Sequence, residues 1–388
     1  MYGEIKIRIA IKNGLLIQHQ FLKRADILVD GEKIIEIGRS LAVPRDAYSI
    51  DARNLYVSPG FIDTQVNGGA GYSFLDNTEE AFERIRIFHA MYGTTSLLPT
   101  AVAFPIQETR NFLGLVKTFR KIHPNILGAH LNGPLVSEKK RGAMNQKYIL
   151  PPTLENLKML ISGFEDTVRI ITLAPEVPGI EKLIPVLKKY GIVASIGHSD
   201  ATYEEARKAI DMGITHFTHF FNAMRGFHHR EPGVVGAALA SKSTTVGLIA
   251  DGIHVHPAAI RLLVKLKGVS AICLVTDSIR ATGMKDGAYE SGGVRVFVKG
   301  KKAETRNGTL AGSTLTMIEA IRNFKASCEI SLPQAVQAAT LNPARLLKIN
   351  NIKGTLDERK DADIVVFDEN FRVHYTIIRG EIVYRRNS

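Results

Sequence analysis

The sequence predicts an α/β protein: a (β/α)8 TIM-like barrel carrying a small β-sandwich formed by the N- and C-terminal segments. Three observations lead there. Both ends of the 388-residue chain alternate apolar and polar residues in strand fashion. Between them, short apolar runs alternate with amphipathic helical stretches, which is the texture of βα units around a parallel sheet. The apolar runs number eight, as a closed barrel requires, and the length suits one barrel of roughly 250 residues or more with an attachment.

The N-terminal segment, residues 1–57, contains RIAIKNGLLI, ADILVDGEKIIEIG and YSIDARNLYV, split by Asn-Gly, Asp-Gly and Asp-Ala-Arg-Asn turns. The C-terminal segment, 354–388, repeats the texture in ADIVVFDEN and VHYTIIRGEIVYR. Neither end alone has enough strands for stability, so the two are expected to meet in one unit. Residues 58–353 form the barrel, its first run overlapping the junction. The eight runs are 57–63, 95–100, 126–131, 168–175, 192–198, 214–220, 245–251 and 272–277. Helix ends are marked between them. Thr202 and Glu205 make a capping-box pair with Gly213 as terminator, and Ser331, Pro333 and Gln334 open another helix. From Thr78 to Tyr92, Phe82, Ile85 and Phe88 share one helical face.

Composition narrows the classes of function. The formal charge of +12 is spread along the chain, with no long basic block and no tryptophan, which argues against nucleic acid and reads first as a basic solvated surface, with attraction of acidic metabolites as the alternative. No apolar run reaches the roughly 18 residues of a membrane span. The start MYGEIKIRIAIKNG has no apolar signal-peptide core, and the two cysteines, Cys273 and Cys328, form no disulfide framework. A cytoplasmic protein is expected.

The unusual polar residues fall at the C-terminal ends of the predicted strands. Asp63, Gln65 and Asn67 follow the first, Asn132 the third and Glu176 the fourth; His198, His219, His254 and Asp277 follow the fifth to eighth. In a (β/α)8 barrel these ends open on one face, where active sites sit. Two histidines there with an aspartate suit a metal site, and imidazole suits zinc or iron. Asp277 can take a proton from an attacking water and return it to a leaving group.

These features sit within longer motifs: PGFIDTQVNGG (59–69), GAHLNGP (128–134), TLAPE (172–176), GHSDATYEEA (197–206), THFFNAMRGFHHREPG (218–233), GLIADGIHVHP (247–257), LVTDSIRATG (274–283) and NGTLAGSTLTM (307–317). Together, over nearly the whole chain, they resemble the N-acetylglucosamine-6-phosphate deacetylases of the amidohydrolase superfamily. The resemblance implies removal of the acetyl group from N-acetylglucosamine 6-phosphate, with one divalent metal ion, zinc or iron. It implies His198, His219 and the residue at Asn132 as metal positions and Asp277 as the catalytic aspartate. Ala143, Asn222, Ala223, Arg230, Asp251, Gly252, Ile253, His254, Leu310, Ala311 and Gly312 match substrate-contacting positions. Arg230 suits a phosphate clamp, since a guanidinium grips two oxygens at once. The resemblance also implies a homodimer or higher homo-oligomer, in which the loop of His228 and His229 reaches a neighbouring phosphate site.

The chain departs from the family pattern at three places. Gln65-Val66-Asn67 stands where many amidohydrolases have His-x-His, which fits a single metal. Asn132 stands where the family's motif has a glutamate ligand, and Met144 where it has a histidine that helps hold the substrate amide. Two alternatives to deacetylation follow: a homologue that binds a phosphorylated amino sugar without hydrolysing it, and an amidohydrolase with a shifted substrate.

Overall fold

A computed structural model describes residues 8–18 and 21–387. The first residues of the start read above, Met1–Ile7, lie outside the described residues. Eight parallel strands follow one another around the barrel: Phe61–Val66, Thr94–Val102, Ala129–Asn132, Val168–Leu173, Val193–Ile196, His216–Phe217, Thr245–Leu248 and Ile272–Leu274. Each pairs with the next. The ring is drawn together beyond the last strand. A bridge joins Val66 to Ser278, and the Asp277 N–H donates to the Gln65 carbonyl at 2.9 Å.

The predicted first run, 57–63, divides in two. Tyr56–Pro59 pairs with the terminal sheet, and the barrel strand begins at Phe61. Gly60 lies at the junction, where a Cβ would overlap the Thr95 side chain. The predicted 214–220 run shrinks to His216–Phe217, because the chain enters the left-handed region at His219, φ +31°.

The helices begin where the sequence signals lie. Thr202 and Glu205 cap Tyr203–Met212 reciprocally, and Gly213 ends it at φ +119°. Ser331 and Gln334 do the same for Leu332–Gln337. Thr78 caps Glu79–Ala90, which buries Phe82, Ile85 and Phe88.

The two ends of the chain join as expected. Strands from 9–59 and 364–385 form one eight-stranded hydrogen-bonded sheet, with Tyr56–Pro59 antiparallel to Ile364–Phe367. Its apolar residues, among them Ile9, Ile11, Leu16, Ile27, Ile50, Ile364 and Ile377, enclose a core separate from the barrel's. The sequence reading did not foresee a three-stranded antiparallel sheet, Gly287–Ser291, Val294–Lys299 and Lys302–Thr305, inserted after the last barrel strand. Among the described residues no helix is long and apolar enough to cross a membrane.

Candidate active site

The C-terminal face of the barrel holds a cavity of about 400 Å³. Asn132, His198, His219, His254 and Asp277, from the ends of five strands or the turns after them, all line it. Three of these leave their strands in the left-handed region: His198 at φ +49°, His219 at +31° and Asp277 at +50°. Such a conformation costs a non-glycine residue roughly 1–2 kcal/mol. Strain at three chemistry-bearing positions on one rim marks a site whose geometry the fold enforces.

The two imidazoles face each other edge-on, with Nε2 atoms 2.9 Å apart. His198 Nδ1 lies 2.9 Å from the Lys140 carbonyl, which can only accept, so Nδ1 carries the proton and Nε2 keeps its lone pair. Burial lowers the His198 pKa to about 4 and, with the neighbouring His198, takes His219 well below the usual value. Both rings are neutral at pH 7. His219 Nδ1 and the Asn132 Oδ1 are buried without hydrogen-bond partners. Beneath them lies a chain of polar contacts inside the barrel. His130 Nε2 meets Thr172 Oγ1 at 2.8 Å, and Thr172 meets Thr218 at 2.8 Å.

Asp277 is held by two amides. Gln65 Nε2 and Asn67 Nδ2 donate to its Oδ1 at 2.8 and 2.7 Å. Its second oxygen carries neither of these bonds. Burial raises its pKa to about 6, opposed by His254 and the two amide donors. Gln65 and Asn67 thus orient the carboxylate. His254 is fixed in turn, its Nδ1 2.6 Å from Asp251 Oδ2, which leaves Nε2 as the ring's second polar atom.

The strand-end position predicts the face but not where each side chain points. Ala143, Asn222, Ala223, Leu310, Ala311 and Gly312 line the cavity. Asp251, Gly252 and Ile253 do not; Asp251 instead accepts from the Ile253 and His254 N–H groups at 2.8 Å and shapes the loop behind His254. Glu176 turns away to accept from Ser199 Oγ at 2.7 Å and the Asp200 N–H at 2.5 Å. Arg230 lies exposed outside its own chain's cavity, donating to His229 Nε2 at 3.0 Å. Its sequence neighbour Glu231 bonds the backbone of Tyr203 and Gly233 instead. The sequence reading missed Lys139 and Lys140, and also Ser291 and Gly292 of the inserted sheet, all of which line the cavity. The lysine pair was visible as part of a basic triplet; the inserted sheet left its signal in the Gly292-Gly293 turn before the alternating VRVFVK, which the count of apolar runs passed over.

Gly312 shows how tightly the wall is set. At φ +66°, a Cβ there would stand 2.5 Å from Ile279 Cγ2 and 2.8 Å from the Asp277 carbonyl oxygen. Gly312→Ala is expected to lower the melting temperature by several degrees and to reduce turnover, through displacement of the Asp277 backbone. Thermal unfolding and steady-state kinetics on the same preparation check this. Unchanged values of both would show that the wall gives way freely.

Comparison with known proteins bears on this geometry. Residues 56–383 match the amidohydrolase family. The N-acetylglucosamine-6-phosphate deacetylase of Lysinibacillus sphaericus is 35% identical over 375 residues, 94% of this chain and 95% of that protein. The chain belongs to the amidohydrolase family. Another member, the N-acetylgalactosamine-6-phosphate deacetylase of Escherichia coli O157:H7, is 34% identical over 378 residues, 97% of each. The crystal structure of N-acetylglucosamine-6-phosphate deacetylase from Pasteurella multocida superposes with a TM-score of 0.93 at 32% identity, covering 98% of this chain and 100% of that one.

Amidohydrolases are in general metal-dependent, and the donors here fit one divalent ion. Two neutral imidazoles turn Nε2 atoms toward each other, and the unpartnered Asn132 Oδ1 lines the same cavity. The set is uncharged. Among the described residues no group of three or more His, Cys, Asp or Glu is arranged to hold a metal. An amide oxygen is a weaker ligand than a carboxylate, so an ion held here would depend mainly on the two histidines.

Proposed function

We propose that the chain removes the acetyl group from N-acetylglucosamine 6-phosphate, giving glucosamine 6-phosphate and acetate, with one divalent metal, zinc or iron. The observation that carries this is Asp277: a buried carboxylate, aimed by two amides, in the same cavity as a neutral histidine pair. In support, N-acetylglucosamine-6-phosphate deacetylases are similar to this chain over almost its full length.

His198, His219 and Asn132 would hold the ion. When bound, it supplies Lewis acidity, polarising the acyl oxygen and making water a stronger acid. Asp277 takes the proton from the attacking water and delivers it to the amide nitrogen as the C–N bond breaks. Gln65 and Asn67 keep the carboxylate oriented through both transfers. His254 Nε2 is placed to bond the sugar or its amide, while Asn222, Ala223 and the 310–312 segment wall the sugar in. Met144 packs beside Ala103 and Val136 and offers no donor to the acyl oxygen.

Lys139 and Lys140 give the cavity positive charge for a phosphate. The exposed Arg230, on a loop with Phe227 at 64% exposure, supports a homo-oligomer in which this loop serves a neighbouring subunit's cavity. A cytoplasmic location agrees with two free cysteines. The test is acetate release from N-acetylglucosamine 6-phosphate and its galacto epimer, run beside elemental analysis for metal. A second reading, sugar-phosphate binding without hydrolysis, is favoured by the amide at Asn132 and the thioether at Met144. Binding with neither acetate nor stoichiometric metal would establish it.

The mechanism sets a pH dependence. Asp277 works ionised, and burial has raised its pKa to about 6. On lowering the pH through 6 it gains its proton, so kcat/KM is expected to fall about tenfold per pH unit below that point. A profile flat from pH 7 to 4.5 would remove Asp277 as the base.

A further inference from the structure

The opposite end of the barrel carries another cavity, of about 440 Å³, between the starts of the third and fourth barrel strands and the terminal sheet. Five cationic side chains border it, Lys33, Arg120, Arg169, Lys353 and Arg379, with Asp361 as the one carboxylate in its wall. Four of the five are matched. Lys33 meets Asp361 at 2.6 Å, Lys353 lies between Asp361 and Asp363 at 3.0 and 2.5 Å, and Arg379 pairs with Glu32. Arg120 reaches Asp166 at 3.8 Å.

Arg169 has no carboxylate partner among the described residues. Its Nη2 donates to the Leu347 carbonyl at 2.8 Å. Its stem is pinned over Gly128, where a Cβ would stand 2.5 Å from Arg169 Cγ. Burial first, then the charge of Arg120, lowers its pKa. A guanidinium that is partly desolvated beside a like charge is unfavourable until an anion joins it. Two guanidinium forks on one wall suit a tetrahedral oxyanion, which can accept from both. Ile126, Leu127, Leu347 and Ile349 make part of the same wall apolar, which fits the carbon portion of an ester.

We propose that this cavity binds a small phosphate-bearing molecule, its phosphoryl group lying between Arg169 and Arg120. The proposal is independent of the chemistry at the other end of the barrel.

The test is calorimetric titration of the full chain with glucose 6-phosphate and, separately, inorganic phosphate. The double change Lys139→Gln and Lys140→Gln serves as the background, to weaken phosphate binding at the other end. Binding is expected to persist in that background and to weaken at least tenfold when Arg169→Gln is added. Arg120→Gln, on a half-buried helix position whose guanidinium also donates to the Asp166 carbonyl at 2.6 Å, should weaken it likewise, with an unchanged melting temperature as the control for folding. Tighter binding of the ester than of inorganic phosphate supports a phosphate ester as the ligand; equal binding supports the bare anion. No binding in the background, or binding indifferent to both arginine changes, overturns the proposal.

Discussion

Asp277→Asn is expected to lower kcat by a factor on the order of 10²–10⁴, the range removed with a positioned acid–base group. Substrate binding should change little. The change is nearly isosteric, and the new amide oxygen can accept from Gln65 and Asn67 as the carboxylate does. The same substitution is expected to stabilise the metal-free protein near pH 8. Burial raises the Asp277 pKa from 3.8 to about 6. A raised carboxylate favours the fold fully below pH 3.8 and loses that contribution as the pH passes 6. Above pH 6 the buried charge therefore opposes folding, and its removal relieves up to about 3 kcal/mol. A melting temperature that rises while kcat collapses would identify a charge kept for chemistry at the expense of stability. A kcat within a few-fold of the parent would take Asp277 out of the reaction. A lower melting temperature would show that the carboxylate holds the loop together.

That opposition between stability and chemistry explains why the site was legible in the sequence. Ionisable residues at the ends of apolar strands are expensive, and the chain places His198, His219 and Asp277 there with left-handed backbone besides. The barrel was legible for the complementary reason: each run of β-branched and apolar residues fits a strand buried on both faces, and the capping pairs at Thr202 and Ser331 fix where helices start. What was not legible follows from the same physics. The inserted sheet 287–305 has only a short buried stripe, Val296, Val298 and Ala303, among exposed charged residues, so it does not stand out beside the long apolar runs of the barrel. Glu176 and Arg230 occupy the right loops yet point elsewhere, because sequence position sets a face of the barrel and not a rotamer. The support beneath the site, His130 with Thr172 and Thr218, looks in the sequence like ordinary strand interior.

Asn132→Glu tests the weakest part of the cradle. Asn132 is 3% exposed and its Oδ1 has no partner, so the position is a buried acceptor awaiting a donor or a cation. Without metal, a carboxylate there is a buried unpaired charge and should lower the melting temperature. With metal, it becomes the anionic ligand that the histidine pair lacks. Zinc affinity is therefore expected to rise at least tenfold, about 1.4 kcal/mol, in competition with a chromogenic chelator. The gap between metal-loaded and metal-free melting temperatures should widen by the same linkage. Adding Met144→His should then raise kcat by a hundredfold or so, if its ring reaches the acyl oxygen as a donor. Met144 lines the cavity as well as packing against Ala103 and Val136, so a side chain at this position can turn into it. Affinity that stays flat in Asn132→Glu would mean that position 132 does not face the ion. Affinity that rises with no gain in rate would mean that the metal was never what limited this chain, and would shift attention to Met144 alone.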